Sequence, residues 1–237
     1  MAITFSHTFL MRKLHQLTGI VPLGAFFVVH MFTNSKAMLG QEEFNKAVEQ
    51  IHGIPYLIFI EVFGIFLPLL FHSVYGIIIS KEARNNILNY SYGRNWLYVL
   101  QRATGIFLFF FILFHILTLR FGFFGVEKVA GNASNAYQIV SGELATTGIL
   151  VLYIAGVIAT SWHLAYGVFL FAVDWGLVIG EKAQSYVLKG CIALSVLLSA
   201  VGINAALSFG ETKSNDKSVL EVSSGESVKP SEKISLK

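Results

Sequence analysis

The sequence predicts an all-α integral membrane protein of five spanning helices, four of them forming a bundle and the fifth lying outside it. Three observations lead there. Of 237 residues, 54% are hydrophobic and only 13% are charged, whereas a soluble domain carries about a quarter charged residues to solvate its surface. Five apolar stretches approach or exceed the ~20 residues needed to cross a bilayer. The remaining charge clusters between those stretches and in the last 27 residues.

Taken in order, Met1 to Gln16 is polar, so no cleavable signal peptide is expected. The spans fall at about 17–35, 55–80, 97–119, 146–173 and 187–209, and the long fourth one is expected to tilt. Between the first two, Gln41 to His52 sets Phe44, Val48 and Ile51 on one helical stripe, the pattern of a short interfacial helix. From Glu211 the chain is rich in Ser, Lys and Glu. Residues 1–210 are therefore expected to form the membrane domain and 211–237 a polar, disordered tail.

Lys and Arg in the connections give an orientation. Arg12, Lys13, Lys81, Arg84, Arg94, Arg102, Lys182 and Lys189 lie on one side, against Lys36, Lys46, Arg120 and Lys128 on the other. The positive-inside rule places the N-terminus in the cytoplasm and the C-terminus outside, as expected of a multi-pass protein of the cell membrane. A net charge of +3, scattered along the chain, does not suggest nucleic acid. The single cysteine, Cys191, cannot form an internal disulfide, and no C-x-x-C-H is present for covalent haem attachment.

Internal similarity is the most informative feature. Thr18-Gly19-Ile20 recurs as Thr104-Gly105-Ile106, each followed by a histidine towards the far end of its span, His30 and His115. His72-Ser73-Val74-Tyr75-Gly76-Ile77 in span 2 recurs as His163-Leu164-Ala165-Tyr166-Gly167-Val168 in span 4. A two-helix unit is thus repeated, which builds a four-helix bundle with a fifth helix beside it. The repeat is imperfect, because Gly19 to His30 is eleven residues and Gly105 to His115 is ten.

Depth decides how the histidines pair. Spans 1 and 3 run outward with His30 and His115 near their outer ends, and spans 2 and 4 run inward with His72 and His163 in their inner halves. The result is two pairs, about 16 Å apart at 1.5 Å per residue. Neutral imidazole binds iron well, and an axial pair needs one nitrogen from each of two opposed helices. Two b-type haems are therefore expected, an outer one on His30 and His115 and an inner one on His72 and His163. Gly76 and Gly167, one turn from the inner histidines, would leave room for a porphyrin. A hydrogen-bonded helix linker or proton relay is the plainer reading of one intramembrane histidine, but it fits four at two matched depths poorly. His7 and His52 read as solvated residues, and His15 stands at the inner end of span 1.

This pattern resembles the cytochrome b membrane-anchor subunits of succinate dehydrogenases and fumarate reductases, in their single-chain, five-helix, dihaem form. The resemblance covers about residues 10–209. Related anchors carry H-R-x-[ST]-G at the start of the first helix. Here it is divided between His15-Gln16-Leu17-Thr18-Gly19 and Gln101-Arg102-Ala103-Thr104-Gly105. The resemblance implies an anchor that holds a flavoprotein (FAD) subunit and an iron–sulfur subunit on the cytoplasmic face, alone or in a higher oligomer of the complex. It also implies electron passage through two haems to menaquinone or another quinone. The chain has neither a dinucleotide motif nor a cysteine set for clusters, so it is not expected to oxidise succinate alone.

Glu61 is the one carboxylate set well inside a span, and such a residue is a functional candidate. Eleven residues from His72, it falls about 20° beyond three full helical turns, on the haem side. Two readings are open: it exchanges the proton that accompanies quinone chemistry near the outer haem, or it is bonded to a neighbour as a structural group. Similar anchors from epsilon-proteobacteria carry a glutamate two residues before the inner-haem histidine. Ser161 stands there in this chain. Two other functions remain open: a dihaem anchor of a formate dehydrogenase, hydrogenase or heterodisulfide reductase, and a transporter that relays protons.

Overall fold

The computed structural model describes residues 7–83 and 87–225, the last fifteen of them by backbone alone. Seven helices organise them: α1 (His7–Leu39), α2 (Gln41–His52), α3 (Leu57–Glu82), α4 (Gly93–Arg120), α5 (Ala136–Leu144), α6 (Thr147–Asp174) and α7 (Glu181–Gly225). No strand occurs among the described residues. Helices α1, α3, α4, α6 and α7 are long and apolar enough to cross a membrane, and a helix satisfies its own polar backbone groups, as lipid requires. Several run past the expected span ends: α1 starts at His7 and α7 at Glu181.

Neighbouring helices follow the cyclic order α1, α3, α4, α6, which closes the expected four-helix bundle. The fifth span, α7, is less peripheral than expected. It packs along α6 and touches α1, burying Cys191, Ser195, Ala205, Ala206 and Phe209. Small residues permit this closeness, since Gly202 leaves no space between Met31 and Val157 for even a Cβ. The most lipid-exposed span is α3, which has no buried residue.

One end of the bundle is capped by α2 and α5. The Phe44 and Val48 stripe of α2 turns inward, onto Tyr137, Ala136, Val140 and Phe209, so it covers protein rather than lying on lipid as an interfacial helix would. Asn45 joins the two short helices: its amide donates to the Ser134 carbonyl and accepts from the Tyr137 N–H. At the opposite, N-terminal end, Arg12 pairs with Glu82, Lys13 donates to the Asp174 carbonyl and Arg94 donates to Gln184.

Helix α7 continues to Gly225, through a segment expected to be disordered. Its stretch from Glu211 to Ser224 holds neither Gly nor Pro, so nothing in it stops a helix already nucleated by the span. The rest of the expected tail, 226–237, lies outside the described residues, as does Arg84.

Three spans contain wide π-helical turns: Gly19–Gly24 in α1, Ile60–Phe66 in α3 and Ile116–Arg120 in α4. Such turns hold one residue more than regular helix, so every later side chain points elsewhere than a regular-helix count would put it.

Candidate functional site

Four histidines meet in two pairs across the two diagonals of the bundle. His30 of α1 faces His115 of α4, with ring centres 5.8 Å apart and planes at 80°. His72 of α3 faces His163 of α6 at 6.3 Å and 87°. His72 also lies against Gly19 of α1, eleven residues before His30. The two pairs therefore sit at different levels, roughly 16 Å apart along the helix.

Each member of the second pair is tethered by the helix before it in its own repeat. The Nδ1 of His72 lies 2.9 Å from the His15 carbonyl, and the Nδ1 of His163 lies 3.1 Å from the Gln101 carbonyl. A carbonyl oxygen only accepts, so both Nδ1 atoms carry the proton and both Nε2 atoms keep a free lone pair. Tethering of this kind orients an imidazole for a metal. In the first pair, the His115 Nδ1 lies 3.3 Å from the buried Tyr153 hydroxyl.

Two in-line metal–imidazole bonds of about 2 Å each place the ring centres about 6 Å apart. Both pairs match that span. The donor set, four neutral imidazoles on opposed helices, is the kind that axial iron coordination uses. On both counts the residues fit two bis-histidine haems.

Close glycines explain why the rings reach these places. A Cβ at Gly19 would sit 2.5 Å from the His72 ring, and one at Gly105 would sit 3.0 Å from that of His163. The recurrent Thr-Gly thus opens a notch on α1 and α4 for the histidine of the next span. Gly76 and Gly167 also make room, though for protein: Gly76 faces the His15 ring, and Gly167 faces the Gln101 amide and Ile20. These two glycines accommodate equivalent members of the repeated motif, a different use from the porphyrin clearance read from their spacing.

His15 has a larger part than its place at a span end suggested. Its ring stacks on that of His72, centres 4.0 Å apart and 12° from parallel, with its own Nδ1 buried and without a partner among the described atoms. His7 and His52 are exposed, as expected.

Glu61 is not alone. Its carboxylate accepts from the Arg120 guanidinium at 2.5 Å, with the glutamate side chain 16% exposed and the arginine 33%. Arg120 lies five residues past His115 on α4, so the ion pair adjoins the first histidine pair on its capped side. The shared face counted between Glu61 and His72 assumed regular helix, and the π segment Ile60–Phe66 intervenes. Through Arg120, Glu61 is joined to α4. Arg120, Gln101 and Tyr153 went unnoticed as partners in the sequence. Gln101 alone carried a signal there, since it occupies in the second repeat the position of His15 in the first.

Comparison with known proteins agrees with this architecture. Residues 85–202 match the family described as Succinate dehydrogenase/Fumarate reductase transmembrane subunit. The chain is 37% identical, over 201 residues, to the succinate dehydrogenase cytochrome b558 subunit of Bacillus subtilis (strain 168), an alignment covering 85% of this chain and 96% of that one. This chain belongs to the succinate dehydrogenase/fumarate reductase transmembrane subunits, the cytochrome b membrane anchors.

Proposed function

We propose that this chain carries two b haems, one between His30 and His115 and one between His72 and His163. In this reading it passes electrons between an iron–sulfur subunit at its N-terminal end and a quinone near its capped end. The observation that carries the reading is the crossing of two histidine pairs on the two bundle diagonals, at two levels. When bound, each haem supplies a one-electron carrier. The protein's part is to fix ring orientation through the His15 and Gln101 carbonyls, exclude water from the rings, and set the spacing between levels.

The N-terminal end suits the soluble flavoprotein and iron–sulfur subunits. The described residues of segments 1–16, 81–102 and 174–190 meet there, joined by the Arg12–Glu82, Lys13–Asp174 and Arg94–Gln184 contacts. Large apolar side chains are exposed around them: Leu88, Tyr92, Trp96, Leu177 and Ile179. Aromatic and aliphatic anchors amid charge suit a protein contact. The basic bias of these segments supports a cytoplasmic position for this end, with the capped end on the outer side of the cell membrane.

Near the capped end, Glu61 is the group we assign to proton exchange with menaquinone or another quinone. Arg120 holds its carboxylate in place and supplies a positive partner for charge that develops beside it.

Purification of the tagged chain from its native membrane tests the whole reading. A reduced-minus-oxidised spectrum with a split b-type α band, together with a co-purifying flavoprotein and iron–sulfur protein active on succinate or fumarate, is the expected result. A preparation without a haem band would favour a proton-relaying transporter. Haem accompanied by formate dehydrogenase, hydrogenase or heterodisulfide reductase subunits would assign the anchor to another complex.

A further inference from the structure

We infer that the π segment Gly19–Gly24 is a positioning element: it absorbs the one residue by which the first repeat exceeds the second, and so turns His30 to face His115. This rests on the pairing of those two histidines as haem ligands.

The two repeats can be aligned in space at both ends of the interval. At the start, Thr18 and Thr104 make the same bonds, each hydroxyl donating to carbonyls three and four residues back. Gly19 and Gly105 each receive the ring of the next span's histidine. At the far end, His30 and His115 face each other, and Thr33 and Thr118 three residues on both donate to a carbonyl four residues back. Equivalent points therefore bound both intervals. Yet Gly19 to His30 counts eleven residues, and Gly105 to His115 counts ten.

In regular α-helix one extra residue turns the side chain by about 100° and lifts it ~1.5 Å. That rotation would carry His30 off the bundle diagonal towards a neighbouring helix or lipid. The interval in α4 is α-helical throughout. The interval in α1 opens with six π-helical residues, Gly19-Ile20-Val21-Pro22-Leu23-Gly24. A π bulge accommodates one inserted residue while the helix beyond it keeps its original facing. Pro22 suits it, since its missing N–H and its ring already interrupt the i→i−4 ladder there. Eleven residues in α1 thereby do the work of ten in α4.

Two single-residue deletions in the full complex test this, read by the low-spin ferric haem signals in electron paramagnetic resonance and by the split α band. Deleting Val21, which is lipid-facing, leaves ten residues before His30, as in α4. Both haem signals should persist. Deleting the equally lipid-facing Phe110 leaves nine before His115 with no π turn to absorb the change, and the outer haem signal should be lost while the inner one stays. Deletion of Ala25 repeats the first test at the edge of the segment should the Val21 variant not assemble.

Loss of the outer haem in both α1 deletions, survival of it in the Phe110 deletion, or failure of both α1 deletions to assemble would each overturn the inference. A His30→Ala variant distinguishes that from failure of the underlying reading. If the substitution removes no haem, the proposed pairing itself is wrong, whatever the deletions do.

Discussion

The imidazoles of His15 and His72 lie face to face, ring centres 4.0 Å apart, while the His15 carbonyl accepts the His72 Nδ1 proton. One residue therefore supports His72 twice, by backbone and by ring. The second repeat keeps only the first of these supports, because Gln101 offers its carbonyl to His163 but no aromatic face. The backbone tether is the common element, and side-chain replacement cannot remove it.

A His15→Gln substitution should accordingly retain both haems, since it reproduces the Gln101 arrangement. The inner haem's resonance signal should shift, as the stacked ring beside His72 is gone, and the outer signal should not. Loss of the inner haem would mean that the ring, rather than the carbonyl, holds His72.

Bulk in the notch should be far more damaging. Gly105→Val would drive side-chain atoms into the His163 ring, which already stands 3.0 Å from where a Cβ would be. Overpacking of this sort costs about 1–3 kcal/mol and displaces what it meets. The expected outcome is selective loss of the inner haem, measured as the α band component that also disappears in His163→Ala. Full retention of both components would show that the notch is slack.

Glu61→Gln keeps size and hydrogen bonding but cannot exchange a proton. With Arg120 still present to bond the amide oxygen, the variant should retain both haems and succinate-to-dye electron transfer while losing quinone turnover. Normal quinone reduction would make Glu61 a structural partner of Arg120 and nothing more.

At the capped end, Asn45→Ala would leave the Ser134 carbonyl and the buried Tyr137 N–H without their bonds from that amide. A lost hydrogen bond of this kind costs about 0.5–1.5 kcal/mol. Thermal unfolding of the purified complex should begin at lower temperature with its haem content before heating unchanged. An unaltered unfolding midpoint would show that water replaces the amide fully.

The spans, the repeat and the facing of the four histidine rings in two pairs were legible because they depend on residue type and count. Hydropathy marked five helices, and chain direction gave depth without any coordinates. What the sequence hid were departures from regular helix and contacts between distant segments. The Gly19 to His30 mismatch was visible as a number, yet only the π turn at Gly19–Gly24 explains it. The count from Glu61 to His72 crosses another such turn, Ile60–Phe66. Arg120 lies 59 residues from Glu61, so no local pattern could join them. The turned-in stripe of α2 depended on α5, whose nine residues are too short and mixed to stand out by hydropathy.

The central claim is the pairing across the diagonals, and four single substitutions measure it directly. His30→Ala, His72→Ala, His115→Ala and His163→Ala should fall into two classes by the haem resonance signal that survives. His30 and His115 variants should share one residual signal, and His72 and His163 variants should share the other. If instead His72 and His115 variants gave the same residual spectrum, the two levels of paired imidazoles would not be those at which the haems are held.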